Sequence, residues 1–61
     1  MKLNVEKIIN ELKRIGKSQK WLADQSGTSQ QLVNYWIRSA SLKGAEPIGK
    51  ALQINPRDLI E

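Results

Sequence analysis

Residues 19–38 constrain the fold of this chain more than any other part of the sequence. They place an alanine, a glycine and a branched apolar residue four and six residues apart, as Ala23, Gly27 and Val33. Two helices that cross steeply over a short turn need a small residue at the crossing and a branched apolar residue beneath it. They also need a residue in the turn that tolerates a positive φ, which is normally glycine. The spacing therefore predicts two short helices joined by a tight turn.

Polar caps mark the boundaries of these two helices. Ser18 is suited to cap a helix over residues 19 to about 25, and Ser29 is suited to cap one over residues 30 to about 38. Each helix has an apolar face that is expected to be buried. The residues of the two faces are Leu22, Ala23, Val33, Trp36 and Ile37.

The sequence before this stretch predicts another helix. Asn4 is a suitable N-cap and Gly16 a suitable terminator. Between them, apolar residues recur at steps typical of one helix face. They are Val5, Ile8, Ile9, Leu12 and Ile15.

The sequence after this stretch predicts two further helices. A polar connection at residues 39–41 leads to a fourth helix, whose first turn accommodates Gly44 and Pro47. Asn55 and Pro56 then form a cap and a first helical residue for a fifth. The inward face of the fourth helix is Ile48, Ala51 and Leu52. The chain is thus predicted to be one compact all-α domain of five helices over residues 1–61.

The composition argues against an enzyme and favours a polyanionic partner. The chain has no cysteine and no histidine, so we expect no disulfide, no catalytic residue, no metal site and no cofactor. Its formal charge of +4 favours nucleic acid, although the same charge is also ordinary for solubility. The distribution is more informative, because no acidic residue lies between Asp24 and Glu46.

Targeting signals are not evident. No apolar run approaches the ~20 residues that a membrane-spanning helix needs. The first residues, Met1 to Asn4, lack the apolar stretch of a signal peptide. We therefore expect a cytoplasmic protein.

The exposed face of the third predicted helix suggests what the partner is. It carries Gln30, Gln31, Asn34, Tyr35 and Arg38, with no carboxylate among them. A solvated helix face normally mixes glutamate with lysine, and a polar face of this kind is the plainer interpretation. Glutamine and asparagine, however, can each form two hydrogen bonds with adenine in the major groove of DNA. The absence of acid beside these amides favours base contacts in double-stranded DNA.

The chain resembles the Cro/C1-type helix-turn-helix family of phage and bacterial transcriptional repressors. The resemblance extends over nearly the whole chain. Its residues are Ser18, Gln19, Leu22, Ala23, Gly27, Val33, Trp36, Lys50, Ala51, Leu52, Asn55, Pro56 and Leu59. It implies a five-helix, lambda-repressor-like DNA-binding domain that represses transcription as a homodimer on a palindromic operator.

The resemblance also implies the roles of individual residues. The expected base contacts are Ser29, Gln30, Gln31, Asn34 and Tyr35. The expected phosphate contacts are Ser18, Gln19, Lys20, Arg38, Ser41 and Lys43. In such proteins the glutamine that opens the second helix, here Gln19, also braces the first glutamine of the recognition helix.

Several residues depart from the family pattern. Trp21 stands where a glutamate usually completes the capping box of the second helix. Ser26 and Thr28 replace residues that are usually apolar around the turn. Ser39 replaces the glycine that usually follows the third helix, and the connection to the fourth helix is shorter.

Two questions stay open at the level of the sequence. Ile54, Leu59 and Ile60 are candidates for a dimer surface, or else for the core of a small domain. The alternatives to a complete Cro-like repressor are the DNA-binding fragment of a longer repressor and a small helical protein-interaction module. In the last case Trp21 and Tyr35 would be the anchors.

Overall fold

The computed structural model describes residues 1–61 as an all-helical protein without strands. Four α-helices are connected by short loops. They are α1 (Val5–Ile15), α2 (Gln19–Ser26), α3 (Gln30–Ser39) and α4 (Ala45–Leu52). Two 3-10 turns, Leu42–Gly44 and Pro56–Leu59, precede and follow α4. None of the helices has both the length and the apolar character that a membrane span requires.

Local capping signals determine where the first three helices begin. The side chains of Asn4, Ser18 and Ser29 accept hydrogen bonds from backbone N–H groups three residues ahead, at 3.1, 3.2 and 3.1 Å. Gly16 and Gly27 follow α1 and α2 with φ of +69° and +72°. The five predicted caps and terminators are therefore confirmed, because each depends only on residues within its own turn.

The polar residues around the α2–α3 turn satisfy one another. The Ser26 hydroxyl donates to the Ala23 carbonyl at 3.2 Å and lies 2.8 Å from the Thr28 hydroxyl. The Thr28 N–H donates to the same Ala23 carbonyl at 3.0 Å. This hydrogen-bonded pair explains how the turn tolerates two polar residues at positions where they depart from the pattern of the resemblance.

The core lies between α2, α3 and α4 and is closed by α1 and the chain ends. Ala23 and Val33 are buried where α2 and α3 meet, as their spacing predicts. The ten buried core residues are Leu3, Ile8, Leu12, Leu22, Ala23, Val33, Trp36, Ala45, Ile48 and Leu59. No charged or polar side chain is buried with them.

The buried stripe of α1 is narrower than predicted. Only Ile8 and Leu12 are buried, whereas Ile9 and Ile15 are half-buried and lie outside the packed cluster. On α3, Ile37 is also half-buried, at the edge of the core. These side chains lie where their helix faces turn toward solvent.

The prediction of a fifth helix is not confirmed, because the segment Pro56–Leu59 forms only a 3-10 turn. Asn55 does cap the segment, since its side chain accepts from Arg57 N–H at 3.0 Å. The segment nevertheless ends after one 3-10 turn, because Ile60 is extended and pairs with Leu3 in an antiparallel bridge. The Lys2 and Glu61 backbones extend the pairing with hydrogen bonds of 3.1 and 2.9 Å.

The pairing of the two chain ends determines where the apolar C-terminal residues lie. Leu59 is completely buried, and Leu3 is 1% exposed. Ile54 and Ile60 are half-buried and pack against the same core. Leu59 therefore belongs to the core, which is one of the two alternatives that the sequence left open for it.

Two glycines of the α4 region are required by close packing. A Cβ on Gly44 would lie 2.8 Å from the Cβ of Trp36. A Cβ on Gly49 would lie 2.7 Å from the backbone oxygen of Ile54 and 3.3 Å from Cγ of Pro56. The chain thus passes back over α4 directly against Gly49.

Gly49→Ala is therefore expected to destabilise the protein. Helix propensity alone predicts a gain of up to about 1 kcal/mol for this change inside a helix. The added methyl group instead meets backbone atoms that cannot turn aside, and overpacking of this kind costs about 1–3 kcal/mol. Urea denaturation measures the outcome, with Lys50→Ala, an exposed neighbour on α4, as the control. A more stable Gly49→Ala variant would contradict the packing described here.

Candidate functional site

The outer face of α3 is exposed and free of acid. Gln30, Gln31, Tyr35 and Arg38 are exposed, and Asn34 is half-buried at the edge of the face. The Ser29 cap and the burial of the opposite face against the core fix the helix in this orientation. The structure therefore brings the predicted base-contacting side chains together on one surface.

A groove runs between the start of α2 and the side of α3. It has a volume of about 370 Å³ and is lined by Gln19, Asn34, Ile37 and Arg38. Gln19 and Arg38 are predicted phosphate contacts, and Asn34 is a predicted base contact. The half-buried Ile37 forms the apolar part of the groove. A guanidinium and two amides thus converge on one concave site from two helices.

Comparisons of the chain with protein-family models, with curated proteins and with solved structures find no match. The function is therefore inferred from the geometry of α2 and α3.

The three serines among the predicted contacts share one local role. Ser18 and Ser29 cap α2 and α3, and the Ser41 hydroxyl accepts from the Lys43 N–H at 3.3 Å. Each hydroxyl oxygen thereby serves as an acceptor within the protein. Each O–H proton stays available, and so all three serines can donate a hydrogen bond to an anionic oxygen.

The cations near this surface are not neutralised by carboxylates. The protein has a single ion pair, Arg14 with Glu11 on α1. The hydrogen bond from Arg14 lowers the pKa of the Glu11 carboxyl and raises the pKa of Arg14. The predicted phosphate contacts Lys20, Arg38 and Lys43 are exposed and form no ion pair. Their charges are therefore available to an external anion.

The residue that follows α3 is one position later than expected, at residue 40 and not at residue 39. The helix continues through Ser39, whose hydroxyl donates to the Tyr35 carbonyl at 2.6 Å. The left-handed residue is Ala40, with φ of +52°. The following 3-10 turn carries Lys43 and is fixed to α3 by the contact between Gly44 and Trp36.

Trp21 is a structural residue rather than a free anchor. It is half-buried against the core. The Lys17 ammonium lies 5.8 Å from the centre of its ring, within the range of a cation–π contact. The interaction-module hypothesis thereby loses one of its two proposed anchors. Sequence reasoning did not assign Lys17, because its position depends on how the α1–α2 loop packs.

A second and larger groove lies between α4 and the C-terminal turn. Its volume is about 710 Å³, and its lining includes Glu46, Lys50 and Gln53. Opposite charges face this groove, and none of the predicted contact residues lines it. No cluster of potential metal ligands is present in the protein.

Proposed function

We propose that this chain is a sequence-specific double-stranded DNA-binding domain of a Cro-like transcriptional repressor, with α2 and α3 as its helix-turn-helix. The observation that carries the proposal is the groove in which Gln19 and Arg38 flank Asn34 beside the acid-free face of α3. This arrangement provides phosphate-binding and base-binding groups on adjoining surfaces.

The dimensions of α3 are compatible with the major groove. Its 10 residues span about 15 Å, and a helix with its side chains is about 10–12 Å across. The major groove is about 12 Å wide. When α3 lies in the major groove, Gln30, Gln31 and Asn34 reach base edges, where their amides pair with adenine or donate to guanine.

Phosphate contacts surround this base-contacting surface. Gln19 and Arg38 bind the DNA backbone at the groove between α2 and α3. The Ser18 hydroxyl, at the start of α2, donates a hydrogen bond to a phosphate of the same DNA strand. Lys20 and Lys43 add positive charge on either side. Such contacts determine position and affinity, whereas the amides determine the sequence.

One copy provides too few base contacts for high selectivity. Two copies on half-sites about one helical turn apart double the number of contacts, and a palindromic operator matches their twofold symmetry. We therefore propose a homodimer on DNA. The proposal holds equally for a complete repressor and for the DNA-binding part of a longer one.

A matched pair of substitutions separates the two kinds of contact. Gln31→Ala is expected to weaken binding to the preferred duplex by about 1–3 kcal/mol and to relax the preference at one base pair. Lys43→Ala is expected to weaken binding to all duplexes alike, because phosphates carry no sequence information. Titration of each variant against preferred and scrambled duplexes measures both effects. Equal losses on both duplexes for Gln31→Ala would refute the assigned roles.

The preferred duplex comes from a selection among random duplexes with the purified protein. We expect enrichment of a twofold-symmetric site whose half-sites lie about one helical turn apart. The absence of any enriched sequence at low salt would overturn the proposed function.

A further inference from the structure

Tyr35 is the one exposed aromatic side chain on the outer face of α3. It is 56% exposed and forms no side-chain hydrogen bond within the protein. Its only polar contact uses the backbone carbonyl, which accepts from the Ser39 hydroxyl. The ring is also not among the side chains that pack against the core.

Tyr35 lies beside one of the amide residues on the same face of α3. Tyr35 follows Gln31 by four residues, so the two side chains are neighbours on one helix face. Four residues rise about 6 Å along a helix. Base pairs are stacked at about 3.4 Å along each strand. A helix lying in the groove therefore places Tyr35 within about two base pairs of the base pair that Gln31 contacts.

The chemistry of the groove determines what a ring at that place can contact. Base edges in the major groove carry hydrogen-bond donors and acceptors, and their one apolar group is the C5-methyl of thymine. The same methyl group occurs on 5-methylcytosine. On the basis of the proposed function, we propose that Tyr35 recognises a pyrimidine C5-methyl group within about two base pairs of the Gln31 contact. Tyr35 then determines specificity through its ring rather than through its hydroxyl.

The test removes the methyl group from the DNA. Each thymine of the selected duplex is replaced in turn by deoxyuridine, and the dissociation constant of each duplex is measured. We expect about a fourfold loss at one position in each half-site, which corresponds to the transfer of one methyl group out of water. Tyr35→Phe is expected to keep this loss, whereas Tyr35→Ala is expected to bind both duplexes equally. Tyr35 is largely exposed, so both variants should fold, and circular dichroism verifies this.

A second arm identifies the source of the methyl group. Cytosine and 5-methylcytosine are compared at the sensitive position. A gain of about fourfold from methylation assigns the recognition to the methyl group on either base, whereas no gain assigns it to thymine.

The outcomes separate this inference from the proposed function. If a duplex is selected but no thymine is sensitive to loss of its methyl group, the inference about Tyr35 is wrong and the proposed function stands. A sensitivity that persists in Tyr35→Ala overturns the inference equally. If no duplex binds at low salt, both fail.

Discussion

Raising the salt concentration from about 50 to 200 mM is expected to weaken duplex binding by about a thousandfold. Lys20 on α2, Arg38 on α3 and Lys43 on the following turn are exposed and form no ion pair within the protein, and we propose that all three contact phosphates. Two copies on one operator then bring about six positive charges to phosphates. The logarithm of the binding constant falls by about 0.9 per phosphate contact for each tenfold rise in salt. A fourfold rise in salt consequently reduces binding about 10³-fold.

The slope of the logarithm of the binding constant against the logarithm of the salt concentration also indicates how many copies of the protein bind one operator. A single copy with three phosphate contacts would lose only about 40-fold over the same range. Fluorescence anisotropy of a labelled duplex, measured over a salt series at constant pH, distinguishes the two values. A steep slope supports two copies on each operator, and a shallow one supports a monomer.

Arg38→Ala provides the variant for this measurement and Lys50→Ala its control. Removing Arg38 is expected to reduce the slope by about 1 for each copy, because one phosphate contact is lost. Lys50 is also an exposed cation, but it lines the groove between α4 and the C-terminal turn, which none of the predicted contact residues lines. Its removal should leave the slope unchanged. Equal effects of the two substitutions would mean that general charge, and not the α2–α3 surface, governs binding.

The features that the sequence predicted correctly are those with local causes. Ser18 and Ser29 cap helices because a hydroxyl accepts from an N–H group three residues ahead. Gly27 adopts a positive φ because the residue ending a helix often requires one. Ala23 and Val33 were predicted to be buried together, since helical spacing fixes which faces meet.

The features that the sequence did not reveal depend on distant parts of the chain. Leu3 is buried because it pairs with Ile60 at the other end of the protein. Gly49 is indispensable because the Ile54 carbonyl passes directly against it. Neither of these two contacts produces a periodic pattern in the amino-acid sequence.

The candidate site combines both kinds of feature. The acid-free face of α3 follows from helical periodicity and was therefore predictable. The groove was not, because Gln19 and Arg38 lie on different helices and meet only through the α2–α3 crossing. The resemblance implied a role for each residue, whereas the structure adds that Ile37 lines the same groove.

Leu59→Ala is expected to remove a large part of the free energy of unfolding at 25 °C. Leu59 is completely buried in the core, and truncation of a buried leucine costs about 2–5 kcal/mol. A domain of this length has a free energy of unfolding of only about 3–9 kcal/mol. Leu32→Ala is the matched control, because this leucine is 40% exposed on α3. Its truncation should lower the free energy of unfolding by less than about 1 kcal/mol.

The dependence on protein concentration distinguishes a core residue from a dimer contact. If Leu59 stabilises the fold within one chain, the loss measured by urea denaturation is the same at every protein concentration. If Leu59 instead stabilised a dimer, the loss would follow mass action and change with concentration. The burial of Leu59 beside the Leu3–Ile60 bridge requires the first result. A Leu59→Ala variant that folds normally but fails to dimerise would show that the C-terminal turn is an interface and not part of the core.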